Sequence, residues 1–224
     1  VAFDREEKPV TAGDLYVQGA AAILLKDALM PNLVQTIEGT PALVHGGPFA
    51  NIAHGHNTLL ADRLGLGISD IVITEAGFGA DLGAEKFVDI VCQQSGLCPD
   101  ATVLVASVRA LKHHGGSKRR ELGQENRKAL TAGFANLDAH LEILRTLGLR
   151  AIVAVNRFAT DTDREIDAVL DHCEDRGVRA AAHRLHAEGG AGGEELARLV
   201  DQAASSGPCA IRPAYRDDDS LEEK

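Results

Sequence analysis

Five short apolar runs, at 42–44, 71–73, 102–108, 151–155 and 178–182, punctuate this chain, and helix-period patterns fill most of the gaps between them. Runs this short, several of them rich in β-branched residues, read as buried strands, and the longer periodic stretches read as helices laid over them. The helical patterns span 12–29, 51–64, 84–92, 120–147 with a break near Gly133, and 163–176, the last closed by Gly177 as a C-cap. Such alternation implies parallel neighbours joined by right-handed crossovers, so the expected fold class is α/β, a mostly parallel sheet with flanking helices. A domain seam is expected at 133–136, between two helical stretches, dividing the chain into 1–134 and 135–224.

Open parallel sheets place their ligands beyond the strand ends, and three glycine-rich loops lie where such runs end. The first, HGGPFANIAHGHN at 45–57, offers Gly46 and Gly47 and then Asn51 at a helix start, where free N–H groups can hold an anion. The second, TEAGFGADLGAEKF at 74–87, sets Phe78 between Gly77 and Gly79. Glycine lets a ligand approach the backbone, so Phe78 reads either as a stacking platform or as a turn residue packed inward. The third, VASVRALKHHGG at 105–116, presents Arg109 and Lys112. A guanidinium suits phosphate or carboxylate forks and an ammonium acts as a mobile point charge; without other information the pair reads as a solvated basic turn. A fourth segment, AVNRFATDTDRE, places Asn156 and Phe158 just past the run 151–155, with Asp161, Thr162 and Asp163 as helix-start residues.

Composition narrows the function classes. A 224-residue chain with 45% hydrophobic and 25% charged residues is ordinary for a globular protein. No apolar run approaches the roughly 18 residues that cross a bilayer, so no membrane partner is expected. The net charge of −10 opposes phosphate backbones, and the basic cluster at 118–120 is short, so nucleic acid is excluded as a partner. Cys92, Cys98, Cys173 and Cys209 form no CxxC pair and read as reduced, buried thiols of a cytoplasmic protein. His45, His54, His56, His113 and His114 raise the question of zinc, but no Cys or carboxylate completes a recognised ligand spacing and no metal site is assigned. Val1 is not an initiator Met and the acidic run 217–224 closes no element, so the chain is expected to be a piece of something longer.

Taken together, VASVRALKHHGG, AGFGADLG, HGGPFANIAHGHN, AVNRFATDTDRE and LHAEGGAGGEELA resemble the formate–tetrahydrofolate ligases over nearly the whole chain. The resemblance implies that 1–134 is the later half of a P-loop NTPase-like nucleotide-binding domain, and that 135–224 belongs to a second α/β domain contributing the folate pocket. It further implies Phe78, Phe158 and His186 along the folate pocket with Gly77 and Gly79 at its floor, and Gly46, Gly47 and Asn156 towards the nucleotide. Arg109 and Lys112 are the catalytic candidates, acting on nucleotide and intermediate or else at a subunit contact. Formate, ATP, Mg²⁺, tetrahydrofolate, a monovalent cation (K⁺ or NH₄⁺) and a homotetramer come with the family. Two positions depart from it: His186 stands where Trp is usual, offering less stacking surface and a titratable ring, and Ala159 stands where Pro is preferred. The 224 residues contain no GxxxxGK[ST] phosphate loop. The expected activity is therefore formate–tetrahydrofolate ligation by the longer protein, with a catalytically inactive folate-binding or scaffold fragment as one alternative. A nucleotide-dependent carboxylate ligase with another acceptor, hinted at by His186, is a second.

Overall fold

A computed structural model describes residues 2–47 and 56–224, and these pack as two units: 2–47 with 57–74, and 56 with 75–224. In the first unit, β1 (Ala2–Phe3) pairs antiparallel with β2 (Pro9–Val10). Helix α1 (Gln18–Leu25) follows, shorter than the periodicity at 12–29 predicts, because Tyr16 sits at φ +56° and interrupts the right-handed path before Val17. A 3₁₀ turn at Asp27–Leu29 continues it. β3 (Asn32–Gln35) and β4 (Pro41–Val44) form an antiparallel hairpin, with Leu33 opposite Leu43. The run 42–44 is thus a strand but not a member of a parallel sheet. A tight turn decides this: the Thr36 and Thr40 backbones bond across it, and Gly39 supplies φ +84°. Helix α2 (Leu59–Ile68) starts where the Thr58 side chain accepts the Ala61 N–H at 3.2 Å. The first part of the helix expected over 51–64 lies outside the described residues. The run 71–73 forms no strand; Ile71 and Ile73 are exposed and only Val72 is engaged, its Cγ2 lying 3.2 Å from where a Cβ on Gly65 would stand.

The second unit holds the parallel sheet. It opens with a helical stretch wound wide as two π-helical segments, Gly79–Ala84 and Phe87–Cys92, running into α3 (Gln93–Ser95) and stopping at Gly96 in the left-handed conformation. β5 (Thr102–Ala106), β6 (Ala151–Asn156) and β7 (Ala180–His183) then lie side by side in that order, all parallel, with Leu104 opposite Val153 and Val153 opposite Ala180. Helices α4 (Val108–His114) and α5 (Arg127–Thr146) connect β5 to β6, and α6 (Asp163–Asp175) connects β6 to β7. α7 (Leu185–Glu188), a 3₁₀ turn (Gly189–Gly193) and α8 (Glu194–Ala204) complete the unit. The α/β expectation holds, and the strand expected over 102–108 is cut short because Ser107 caps α4 by accepting the Ala110 N–H.

Alternation along β6 explains why it is apolar throughout. Val153 and Val155 face one layer, with Val108, Leu111, Leu130, Phe134, Leu137, Ile166 and Val169 of α4, α5 and α6. Ile152 and Ala154 face the other, with Ala181, Leu196 and Ala203. Both faces are covered, as a central parallel strand requires. Three of the four cysteines are buried as expected, and burial pushes the Cys92 thiol up to about 12 and Cys173 up to about 11; Cys98 is exposed, contrary to expectation.

The break expected near Gly133 is absent, and α5 runs unbroken from Arg127 to Thr146 through the seam placed at 133–136. Gly133 is there for contact. A Cβ on it would stand 1.9 Å from the Leu111 carbonyl oxygen, and one on Gly115 would stand 1.8 Å from that of Ala129. The pair lets α4 and α5 approach backbone to backbone. Helix propensity alone would make Gly133→Ala stabilising by about 1 kcal/mol. Overpacking against a fixed carbonyl costs about 1–3 kcal/mol, so the expected result is a net loss, read as a lower midpoint in urea.

Candidate functional site

The carboxyl ends of β5, β6 and β7 lie along one edge of the sheet, and the loops that leave them gather the charged and aromatic groups. After β5, Ser107 turns the chain into α4 and puts Arg109 on its exposed side and Lys112 on its buried side. After β6, Asn156, Arg157 and Phe158 lead into a turn closed from both directions. The Phe158 N–H donates to Asp161 Oδ2 at 2.8 Å, and the Asp161 N–H donates to the Phe158 carbonyl at 3.0 Å. After β7, His183 lies opposite Asn156 in the sheet register, and His186 follows on α7, exposed.

Arg109 and Phe158 meet: the guanidinium carbon stands 5.2 Å from the ring centroid. A cation over an aromatic face is worth about 0.5–1 kcal/mol at an exposed site. Phe158 is 39% exposed, so part of an apolar side chain is presented at the edge.

Lys112 behaves differently from Arg109. It is fully buried, paired to the equally buried Glu165 at 2.9 Å, and its Nζ also donates to the Gln124 carbonyl at 2.9 Å. Glu165 Oε1 accepts the Asn126 N–H at 2.9 Å, and the Asn126 side chain caps α5 and reaches Ser117 Oγ at 3.2 Å. Glu165 also closes the capping box with Thr162 at the start of α6. Burial pushes the Glu165 carboxyl up, yet the bonds from Asn126, Lys112 and Thr162 outweigh it and hold the group below its ordinary value. Lys112 thus ties α4, which bears Arg109, to α6, which follows the turn that bears Phe158.

Asp161 is 5% exposed, and its Oδ1 has no hydrogen-bond partner among the described residues. Burial raises its carboxyl above the ordinary range, opposed by the Phe158 N–H and by the Lys112 and Arg109 charges. His183, also buried, has no partner for Nδ1 among the described residues, and burial lowers its imidazole from the ordinary value.

Phe78 stands apart from turns that pack their aromatic inward: it is 84% exposed at the head of the first π-helical segment. Its flanking glycines explain the pose. Gly79 adopts φ +75°, and a Cβ on Gly83 would fall 1.7 Å from the Gly77 carbonyl oxygen, so the loop folds back on itself and turns the ring outward. Gly46 and Gly47 belong to the first unit, with Gly46 at φ +73°; Asn51 and His54 lie outside the described residues. Of the histidines raised for zinc, His45, His56 and His113 have protein partners. Both His45 ring nitrogens are engaged, by Thr58 Oγ1 at 2.7 Å and the Ala28 carbonyl at 2.8 Å, His56 packs edge-on to Phe87, and His113 Nδ1 lies 3.1 Å from the Ser117 carbonyl.

Sequence reasoning anticipated Arg109 and Phe158 as presented side chains, left Phe78 open between a platform and an inward-packed residue, expected Lys112 to be presented although it is buried, and overlooked Glu165 and His183. The spacing Thr162-x-x-Glu165, a capping-box signature, was the available signal for Glu165. A histidine closing an Ala-rich strand carries no such signal.

With this geometry in place, the chain was compared with known proteins. Its residues 1–224 match the family model described as formate–tetrahydrofolate ligase. It is 54% identical over 230 residues to the formate–tetrahydrofolate ligase of Haloarcula marismortui, covering 100% of this chain and 42% of the relative. It is 57% identical over 222 residues to that of Paracoccus denitrificans, covering 99% and 40%, and 55% identical over 208 residues to that of Parabacteroides distasonis, covering 93% and 38%. The chain therefore spans about two fifths of the length of these relatives. On a match that runs through every one of its residues, the chain belongs to the formate–tetrahydrofolate ligase family.

Proposed function

We propose that the protein carrying this sequence joins formate to tetrahydrofolate at the expense of ATP, with these residues supplying the folate pocket and part of the nucleotide site. In that reaction a formate oxygen attacks the γ-phosphorus of ATP and ADP leaves, giving formyl phosphate. The folate N10 then attacks the formyl carbon, phosphate departs, and N10 gives up its proton, leaving 10-formyltetrahydrofolate. Such chemistry depends mainly on positioning and charge stabilisation. Phe158 carries the reading: it is an aromatic face held open at the carboxyl edge of a parallel sheet, where α/β proteins bind ligands. Phe158, Phe78 and His186 are the proposed walls for the pterin ring, with Gly77 and Gly79 beneath, and Asn156 is a proposed contact to nucleotide. Arg109 is the proposed cation for the anionic intermediate. Lys112 is assigned a structural part, because Glu165 and the Gln124 carbonyl already take its ammonium.

Among the described residues no three His, Cys, Asp or Glu side chains are grouped to hold a metal ion. Mg²⁺ and a monovalent cation belong to the proposal without assigned ligands among the described residues, and no step is routed through them. No helix among the described residues is long and apolar enough to cross a membrane. A cytoplasmic homotetramer is part of the same proposal.

The test is product formation by the purified protein with formate, ATP and tetrahydrofolate, following 10-formyltetrahydrofolate by conversion to its methenyl form in acid. The expected signal requires all three substrates. Tetrahydrofolate binding with no ATP-dependent product would support the folate-binding scaffold instead. Formyl phosphate formation indifferent to tetrahydrofolate would point to another acceptor.

A further inference from the structure

Asp161 inverts the usual economy of a loop: the carboxylate is buried at 5% exposure so that an aromatic ring can stand 39% exposed beside it. A fold driven by stability alone does the opposite, because a buried carboxylate loses hydration and an open phenyl ring gains nothing from water. The observed bonding uses one oxygen only. Oδ2 accepts the Phe158 N–H at 2.8 Å, while Oδ1 is buried with no partner among the described residues. An unsatisfied buried acceptor is a cost that calls for a reason. The reciprocal bond from the Asp161 N–H to the Phe158 carbonyl, 3.0 Å, makes the turn a closed clamp on the Phe158 backbone. Arg109, 5.2 Å from the ring centroid, bears on the same residue from the side of α4.

Resting on the reading of Phe158 as a folate-stacking residue, we infer that Asp161 is the positioning residue for Phe158, fixing the ring in its open stance so that the pterin meets a preformed face. Lys112 and Glu165 lie behind this clamp and hold α4 and α6 at the spacing it needs. Asp161 itself does not touch the ligand; it acts through the Phe158 backbone. The inference therefore predicts that its effect on binding vanishes when the Phe158 ring is gone.

The experiment is a double-mutant cycle on tetrahydrofolate affinity, by titration calorimetry on the protein that carries this sequence, with melting temperature as the fold control. Asp161→Ala is expected to weaken binding roughly tenfold, the scale of one ordering hydrogen bond. Asp161→Asn retains an acceptor for the Phe158 N–H and is expected to stay within about threefold of the parent. In a Phe158→Ala background, Asp161→Ala is expected to add no further loss, a non-additivity that a general loss of stability does not produce. Additive losses, or Asp161→Ala at parental affinity while Phe158→Ala alone weakens binding, would overturn the inference and leave the folate reading standing. Parental affinity for Phe158→Ala itself would remove the folate reading, and this inference with it.

Discussion

Replacing Lys112 with alanine is expected to lower the stability of the second unit by about 3–5 kcal/mol, the cost of stranding one partner of a buried ion pair. Glu165 would be left with no counter-charge in a site where neither side chain sees solvent. For a domain of this size each kcal/mol moves the melting temperature by roughly 2–4 °C, so a fall on the order of 10 °C should be seen by calorimetry. Exchanging the whole pair for apolar residues, Lys112→Met with Glu165→Leu, is expected to be far milder, since it removes both desolvation costs together. The same pair sets a pH signature. The folded Glu165 carboxyl lies below its ordinary value, so its contribution is complete above the unfolded value of about 4.3 and is lost as pH falls through the folded one. In Lys112→Ala the share of that contribution that comes from Lys112 is lost while the bonds from Asn126 and Thr162 remain, and the gap between parent and variant should narrow towards acid. A Lys112→Ala protein as stable as its parent would show that the pair is not the tie between α4 and α6.

Much of this fold was legible because local and global preferences agree. β6 is apolar on both sides of its pleat, and a central parallel strand asks for that. The start of α6 announces itself through Thr162 and Glu165, whose capping box settles the boundary without tertiary help. The readings that failed have two causes: a partner distant in sequence, or a turn or cap residue whose conformation overrides the apolar pattern. Gly133 looks like a helix breaker until the Leu111 carbonyl is seen pressed against it. Residues 42–44 satisfy a buried parallel strand as well as a hairpin, and the turn at Gly39 selects the hairpin. The site divides in the same way. Arg109, Phe158 and Phe78 could be named from their loops because glycine and strand-end context is local. The burial of Lys112 could not, since it depends on Glu165, more than fifty positions downstream, arriving on α6.

Phe158→Ala tests the other face of that division, since it should weaken binding while sparing the fold. Phe158 is already 39% exposed, and the contacts that fix its backbone, to Asp161, survive the substitution, so the melting temperature should scarcely move. Stacking of an aromatic heterocycle on such a ring is worth about 1–3 kcal/mol, which corresponds to a loss of roughly 5- to 150-fold in tetrahydrofolate affinity. The chemistry of the loss can be separated with two further variants. Phe158→Leu restores apolar bulk without a π-face, and Phe158→Trp restores the face with added area. If stacking is the interaction, Trp binds and Leu does not; if bulk alone matters, both recover. Arg109→Ala adds the sign of the local charge. With the guanidinium over the ring in the free protein, a pterin either displaces it or uses the opposite face. Displacement predicts that Arg109→Ala tightens folate binding modestly while weakening any anionic intermediate. Use of the opposite face predicts a small loss, because the cation that holds the ring is gone. A stable Phe158→Ala protein with parental folate affinity would exclude this edge of the sheet as the pterin site under either geometry.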